Sequence, residues 1–165
     1  MTDAMVAIAR AQAAYVRCID SDGLEAWPDF FADPCFYQIT TADNYRRGLP
    51  AGLIWADSKG MLKDRVSALR EANIYERHTY RHMLGQPAVL AESRESPEPT
   101  RAGVREADSE TPFLVLRITG DGPTDIFASG VYVDRYALDG DRALLRRRVV
   151  VCDSSRIDTL LALPL

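Results

Sequence analysis

The 165-residue sequence contains little lysine, cysteine or histidine, and it has no long apolar run. Lysine occurs only at positions 59 and 63, so eighteen of the 20 basic residues are arginines. The net charge of −4 offers no basic surface for nucleic acid. No segment approaches the ~20 apolar residues that span a bilayer, and Arg10 interrupts an N-terminus without a basic start. We therefore expect a cytoplasmic protein with no nucleic-acid or membrane partner.

The cysteine content gives no sign of a disulfide framework or a zinc site. Cys18, Cys35 and Cys152 are scattered, odd in number and outside any C-x-x-C motif. Disulfide scaffolds and zinc sites both rely on paired cysteines. The sequence therefore predicts three free thiols.

Helical patterns occupy the first half of the chain and strand patterns the second half. Apolar residues at helical spacing predict helices over residues 3–20, 24–31 and 57–75. Runs rich in β-branched and aromatic residues predict strands at 35–40, 53–56, 80–93, 112–118, 125–138 and 143–153. Helices followed by a run of strands predict an α+β fold, with the N-terminal helices packed on one face of a curved antiparallel sheet.

Residues 94–111 interrupt the strand-rich half with a polar segment. The sequence RESPEPTRAGVREADSET has almost no apolar content and mixes both charges with proline and glycine. Such a composition cannot bury enough surface to offset the entropy of ordering. We expect a mobile polar loop inside a single domain, 1–165, because strand patterns resume directly after it.

Both histidines lie within ten residues, NIYERHTYRH (73–82). On a helix, their four-residue spacing would place His78 and His82 on one face, where they could share a metal ion. The apolar stripe of the preceding helix ends near Asn73, however, and in an extended chain the two would lie roughly 13 Å apart. A metal site also needs a third ligand and its supporting groups. The sequence therefore predicts no metal or catalytic centre here, and it places His82 at the start of a strand.

Three consecutive arginines, Arg146, Arg147 and Arg148, lie in the last predicted strand. Side chains alternate along a strand, so Arg146 and Arg148 would point to one face and Arg147 to the other. An anion site is one interpretation. An outer face with one arginine paired inward is the other, and we favour it.

Three stretches of the chain resemble the small subunits of bacterial ring-hydroxylating dioxygenases. They are IDSDGLEAWPDFFADPCFYQIT (19–40), GLPAGLIWADSKGMLKDRVSALREANIYERHTYRHMLG (48–85) and VVVCDSSRIDTLLALPL (149–165). The similarity spans nearly the whole chain except 94–111. It implies a cone-like α+β fold similar to nuclear transport factor, scytalone dehydratase and other cystatin-like proteins.

The resemblance also implies a partner. In that family a large subunit carries a Rieske [2Fe–2S] cluster and a mononuclear Fe(II), and three large subunits typically assemble with three small ones. With a reductase and NADH, such a complex adds both atoms of O₂ to terephthalate or a related aromatic acid, giving a cis-dihydrodiol. This chain lacks the paired C-x-H and C-x-x-H motifs of a Rieske cluster. We therefore expect it to hold no cofactor, metal or catalytic residue, the enzyme being the complex.

Two functions remain as hypotheses. The first is a non-catalytic structural small subunit, for which Arg77, His78, Arg81 and His82 are interface candidates because arginine is enriched where proteins meet. The alternative is a free-standing cone-fold dehydratase or isomerase, which would need a buried Asp/His or Asp/Tyr pair to move a proton. The long resemblance favours the first.

Overall fold

The structure is a computed structural model that describes residues 3–72, 77–93, 104–156 and 161–165. Its helices all lie in the first half of the chain, and most of its strands lie in the second half. None of the helices in those ranges is long and apolar enough to cross a membrane. In chain order the elements are α1 (Asp3–Asp20), a 3₁₀ helix (Leu24–Phe30), β1 (Phe31–Thr41), α2 (Ala42–Arg46), β2 (Ile54–Ala56), α3 (Lys59–Glu71), β3 (His78–Leu84), β4 (Ala88–Ser93), β5 (Arg105–Thr119), β6 (Thr124–Asp139) and β7 (Arg142–Cys152).

The strands form one mixed sheet of order β2-β1-β7-β6-β5-β3, and β4 also pairs with β5. Strands β5, β6 and β7 form the predicted antiparallel meander. Strands β1 and β7 are parallel, so the prediction of an antiparallel sheet is wrong for this pair. Local turn signals cannot specify this pairing, because the two strands come from opposite ends of the chain.

The sheet is curved, and α1 lies across one of its faces. Strand register shifts in four of the strand pairs, and such bulges bend and twist the strands. Ile8, Tyr15 and Ile19 recur at helical spacing on α1 and are buried in the core with the inward side chains of the strands. We call the face towards α1 the inner face and the opposite one the outer face.

The outer face is covered by the chain itself over β1. There the side-chain amide of Gln38 donates to the carbonyl of Pro50 at 3.2 Å, and the hydroxyl of Thr40 donates to that of Ala51 at 2.9 Å. Val149 of the neighbouring β7 points to the same side and is fully buried. The outward side chains of β3 are instead exposed.

Two helices differ in detail from the sequence prediction. The polar link after β1 contains the short helix α2, whose first turn is capped by the hydroxyl of Thr41, 3.2 Å from the backbone N of Asn44. Helix α3 begins after Ser58, which caps it by accepting from the backbone N of Met61. It ends at Glu71 rather than near residue 75, and residues 73–76 lie outside the described residues.

Strand β5 begins at Arg105, so the predicted loop over 94–111 is wrong for residues 105–111. Residues 94–103 lie outside the described residues. The inward side chains of this polar half-strand are small: Ala107, Ser109 and Thr111 are all buried. The strand is held by ladders with β4 on one side and β6 on the other, which a search for apolar runs does not detect.

Candidate functional site

A buried carboxylate–imidazole pair links the end of α1 to β3. Asp20 is the last residue of α1, and its Oδ1 lies 2.6 Å from Nδ1 of His82. The backbone N–H of His82 donates to the other carboxylate oxygen at 2.9 Å. Both side chains are buried. Because Nδ1 is engaged with Asp20, Nε2 is the ring atom of His82 left for acid–base chemistry.

The cavity beside this pair does not reach that atom. Its volume is about 340 Å³, and Asp20, His78, Thr119 and Leu163 are among its lining residues. His82 does not line it, and Nε2 of His82 is buried with no hydrogen-bond partner in the described part of the chain. A molecule in the cavity would meet the Asp20 carboxylate but not Nε2. The geometry therefore suits fixing β3 to α1 better than transferring a proton to a substrate.

A second polar group lies on the inner face, and we call it the interior polar cluster: Gln12, Thr111, Asp134, Tyr136 and Arg148. Arg148 donates to both carboxylate oxygens of Asp134, from Nε at 2.9 Å and from Nη2 at 2.6 Å. The hydroxyl of Tyr136 donates to Asp134 at 3.0 Å, and the amide of Gln12 donates to the hydroxyl of Thr111 at 2.9 Å. All five residues are buried. The cluster is a closed ion pair inside the fold rather than an open site, although Nη1 of Arg148 has no hydrogen-bond partner within the described residues.

Two aromatic rings enclose the guanidinium of Arg148. Its Cζ lies 4.2 Å from the ring centroid of Tyr15 and 4.0 Å from that of Tyr132. Burial is the largest single influence and lowers the pKa of Arg148, but Asp134, Tyr136 and Tyr15 together outweigh it, so the pKa is raised well above its ordinary value. Burial raises the pKa of Tyr132 well above 10. Arg148 therefore stays charged and Tyr132 neutral near pH 7, and neither serves as a general acid or base there.

Residues 161–165 enter the same interior. The backbone carbonyl of Leu165 accepts from the hydroxyls of Tyr15 at 2.9 Å and Tyr37 at 3.1 Å, and its N–H donates to Tyr37 at 3.1 Å. Leu163 and Leu165 are buried. The space enclosed by the sheet and α1 is thus occupied by the chain's own side chains and main chain.

The four residues predicted at an interface face different ways. His78 and His82 both lie in β3, so the segment is extended as predicted, but the strand begins at His78 and not at His82. His78 is half-buried beside the cavity, and His82 is buried against Asp20. Arg81, between them along the strand, is exposed on the outer face. Arg77 is exposed at the rim of the cavity.

One of the three arginines of β7 is paired inward, but it is Arg148 and not Arg147, the residue that regular alternation sets apart from the other two. Leu145 and Arg148 are both in the interior although they are three residues apart, because the register with β6 shifts between them. Arg146 therefore does not share the face of Arg148, contrary to the prediction, and its Nε lies 3.8 Å from a carboxylate oxygen of Glu106. Arg147 is exposed and lies over the ring of Phe36.

Within the described residues, the side chains that could bind a metal ion do not form a cluster. Across residues 3–72, 77–93, 104–156 and 161–165, no group of three or more His, Cys, Asp or Glu side chains could hold a metal ion. The three cysteines are free, and Cys152 is buried in β7. Burial raises the pKa of Cys152 to about 12, so its thiol is protonated near neutral pH.

Sequence reasoning missed the partners in both buried pairs. Asp20 is the last residue of the helix predicted over 3–20, and nothing local connects it to His82. The pair of Asp134 with Arg148 did carry a signal. Asp134 lies between Tyr132 and Tyr136 at strand spacing, so all three point inward, and a buried aspartate needs a cation.

Comparison with known proteins places the fold in a family. The profile of the SnoaL-like domain matches residues 1–149. The beta 1 subunit of the terminal oxygenase component of terephthalate 1,2-dioxygenase from Comamonas sp is 49% identical over 160 residues, with 97% of each chain covered. The small subunit of anthranilate 1,2-dioxygenase from Burkholderia cepacia is 37% identical over 154 residues, covering 93% of this chain and 89% of that protein.

A solved structure agrees with these relatives. A protein from Novosphingobium aromaticivorans, assigned as the beta subunit of an aromatic-ring-hydroxylating dioxygenase, is 40% identical with a TM-score of 0.81. The superposition covers 98% of this chain and 97% of that one. A protein from the same species assigned as a scytalone dehydratase shares the fold at 16% identity and a TM-score of 0.63. The chain therefore belongs to the SnoaL-like domain family and, within it, to the small subunits of aromatic-ring-hydroxylating dioxygenases.

Proposed function

We propose that this chain is the non-catalytic small subunit of a terminal oxygenase component that acts on terephthalate or a related aromatic acid. Relatives near half identity are named for terephthalate 1,2-dioxygenase, and a more distant one is named for the anthranilate enzyme. Three large and three small subunits would form the complex, which would use O₂, a reductase and NADH to make a cis-dihydrodiol. We place it in the cytoplasm, where the three free thiols stay reduced.

The filled interior is the observation that carries the non-catalytic role. An enzyme of this architecture needs substrate access to the space between the sheet and α1, where a proton donor and acceptor can act together. Here that space is taken by the pair of Arg148 with Asp134 and by Leu163 and Leu165. The cavity beside it exposes the carboxylate of Asp20 but does not reach Nε2 of His82. Substrate binding and chemistry therefore fall to a partner.

The donor groups of this chain do not fit the metal centres of such a complex. A Rieske cluster takes two cysteines and two histidines, and a mononuclear Fe(II) site takes two histidines and a carboxylate. The sequence contains only His78 and His82, and the ring of His82 is buried against Asp20. We assign both the [2Fe–2S] cluster and the Fe(II) to the large subunit.

The surface near β3 is our candidate for the contact with that subunit. Arg77 and Arg81 are exposed, and His78 is half-buried between them. Exposed arginine suits an interface because its planar guanidinium binds carboxylates and packs on apolar surface. His82 would act indirectly, since its bond to Asp20 fixes the strand that carries Arg81.

One observation favours the alternative function. Asp20 and His82 form a short, buried carboxylate–imidazole contact of 2.6 Å, the kind of pair that a cone-fold dehydratase or isomerase would use. The buried Nε2 argues against it, because no substrate in the adjacent cavity could reach that atom. Activity of the isolated chain on a carbonyl substrate, lost on His82→Gln, would favour the alternative.

Expression with and without a large subunit tests the proposal. We expect the isolated chain to bind no stoichiometric iron and to oxidise none of terephthalate, anthranilate and benzoate. Expressed together with a tagged large subunit, it should copurify as a brown, iron-containing complex whose mass fits three copies of each chain. That complex, supplied with reductase and NADH, should convert at least one of the acids to a dihydrodiol. Stoichiometric iron in the isolated chain, or ring oxidation by it, would contradict the proposal.

A further inference from the structure

The outer face of β3, β5 and β6 carries an apolar patch, which we call the outer-face patch: Arg81, Met83, Leu114, Leu116 and Ile126. Met83 lies opposite Leu114, and Leu116 lies between Arg81 and Ile126 in neighbouring strands. Side chains opposite each other on one face of a sheet lie about 5 Å apart, so these opposing pairs form one continuous patch. Ile126 and Met83 are 73% and 57% exposed, unusually high values for large apolar side chains.

Arg81 gives this patch a charge that the described part of its own chain does not balance. Most charged arginines of the sheet are paired: Arg135 with Asp108 at 2.7 Å and Arg148 with Asp134 at 2.6 Å. Within the described residues, the side chain of Arg81 makes no ion pair or hydrogen bond. A surface that complements the patch is therefore apolar and presents a carboxylate to Arg81.

We propose that the outer-face patch is the centre of the docking site for the large subunit, an inference that rests on the proposed function. A stable interface buries about 800 Å² on each partner, more than five side chains supply, so the contact extends beyond the patch. Binding energy concentrates near the centre of an interface, where arginine, methionine and large apolar residues are enriched. The patch has that composition.

A two-fold contact with a second copy of this chain fits the patch less well than the large subunit does. A two-fold contact centred here would bring the Arg81 guanidinium of each copy against that of the other. Like charges facing each other in a contact cost several kcal/mol. A different partner surface can instead place a carboxylate opposite Arg81.

Oxidation of methionine provides a direct test on the native complex. Hydrogen peroxide converts an exposed thioether to its sulfoxide, and Met83 in the patch and Met61 on α3 are both exposed. We expect Met83 to be oxidised about tenfold more slowly in the complex with the large subunit than in the isolated chain, because the interface excludes solvent. Met61 should change less than about twofold.

Other outcomes of this measurement overturn the inference. Equal oxidation of Met83 in the isolated chain and in the complex would mean that the patch stays open. Protection of Met83 in the isolated chain, in step with its self-association, would assign the patch to a second copy.

A pair of matched variants tests the same patch by affinity. We expect Ile126→Glu to reduce the recovery of this chain with the tagged large subunit about tenfold, since it buries a charge at the contact. The control Leu90→Glu alters another exposed apolar residue, on β4 and 60% exposed, and should leave recovery unchanged. Arg81→Glu should weaken binding more than Arg81→Gln, because it places a negative charge opposite the carboxylate that we expect on the large subunit. Unfolding temperatures of all variants show whether each remains folded.

The variants separate this inference from the proposed function. If the unaltered chain does not copurify with the large subunit, the proposed function fails. If it copurifies and Ile126→Glu does so equally well, the proposed function stands and the docking site lies elsewhere. Equal losses for Ile126→Glu and Leu90→Glu would also remove the patch from the centre of the contact.

Discussion

At the scale of single residues, the most consequential contact is the buried pair of Arg148 with Asp134. Two charge-assisted hydrogen bonds and two flanking rings compensate for taking both charges out of water. Such a pair need not stabilise the fold more than apolar residues would. It is costly to break, however, because either partner alone leaves an unpaired charge in the interior.

Substituting one partner should therefore cost more than substituting both. We expect Arg148→Met to lower the free energy of unfolding by about 3–5 kcal/mol, because the carboxylate of Asp134 loses its cation. The double variant Arg148→Met, Asp134→Leu should recover most of that loss. Urea unfolding of the two single variants and the double variant at neutral pH gives the coupling energy. Additive losses would show that the two charges do not depend on each other.

The sequence predicted that an arginine of this strand would point inward, but it did not predict which residues form the ion pair. Strand alternation predicted one inward arginine in 146–148 and set Arg147 apart from the other two, whereas the inward residue is Arg148. It did not identify Asp134, which lies on the neighbouring strand, or the bulge that turns Arg146 away. Which residues oppose each other depends on the register of the whole sheet, and a local pattern cannot fix that register when bulges shift it.

At the scale of elements, the contact of Asp20 with His82 joins α1 to β3. The carboxylate accepts from both the ring and the backbone N–H of one residue, so it fixes the position of the strand as well as the side chain. β3 is an outer strand of the sheet and pairs only with β5 among the described strands. The link to α1 therefore replaces the support that a second neighbouring strand would give.

Weakening this link should loosen β3 more than the rest of the sheet. We expect Asp20→Asn to cost about 1–3 kcal/mol of stability, because a charged acceptor of two buried hydrogen bonds becomes a neutral one. The exposed carboxylate of Asp141 provides a matched control, and Asp141→Asn should change stability by less than about 0.5 kcal/mol. Amide hydrogen exchange should rise in β3 and stay unchanged in β7. A uniform rise across the sheet would mean that the link serves global stability alone.

Elements with apolar periodicity were predictable, and the polar elements were not. The helix over 3–20 and the strands β6 and β7 fall close to their predicted bounds. The first half of β5 was missed because its inward residues are Ala107, Ser109 and Thr111, which contribute little apolar area. Ladders with two neighbours and the bond from Gln12 to Thr111 hold this segment, and both depend on partners distant in sequence.

At the scale of the whole molecule, the fold resembles that of cone-shaped enzymes, while its interior is closed. Buried tyrosines from separate elements line that interior, among them Tyr37 of β1 and Tyr132 and Tyr136 of β6. The resemblance of the sequence to dioxygenase small subunits predicted the family. The closed interior could not be predicted, because it results from side chains and a C-terminal segment that meet only in the folded chain.

The buried tyrosines should make the folded state sensitive to alkaline pH. Burial raises the pKa of Tyr37, Tyr132 and Tyr136 well above 10. Below pH 10 these phenols are protonated in both states and add no pH dependence. Above it the unfolded chain releases protons that the folded chain keeps, so stability falls as pH rises, by about 1.4 kcal/mol per pH unit for each such tyrosine.

Urea unfolding at a series of pH values from neutral to strongly alkaline measures this loss. Tyr132→Phe is the informative variant, because the Tyr132 hydroxyl has no hydrogen-bond partner in the described part of the chain. The variant should therefore unfold like the parent at pH 8 and lose stability less steeply above pH 10. Tyr45→Phe alters an exposed ring, 41% exposed, and should keep the parent's slope. An unchanged slope in Tyr132→Phe would mean that this phenol ionises freely in the folded chain, and the interior would then be open to water.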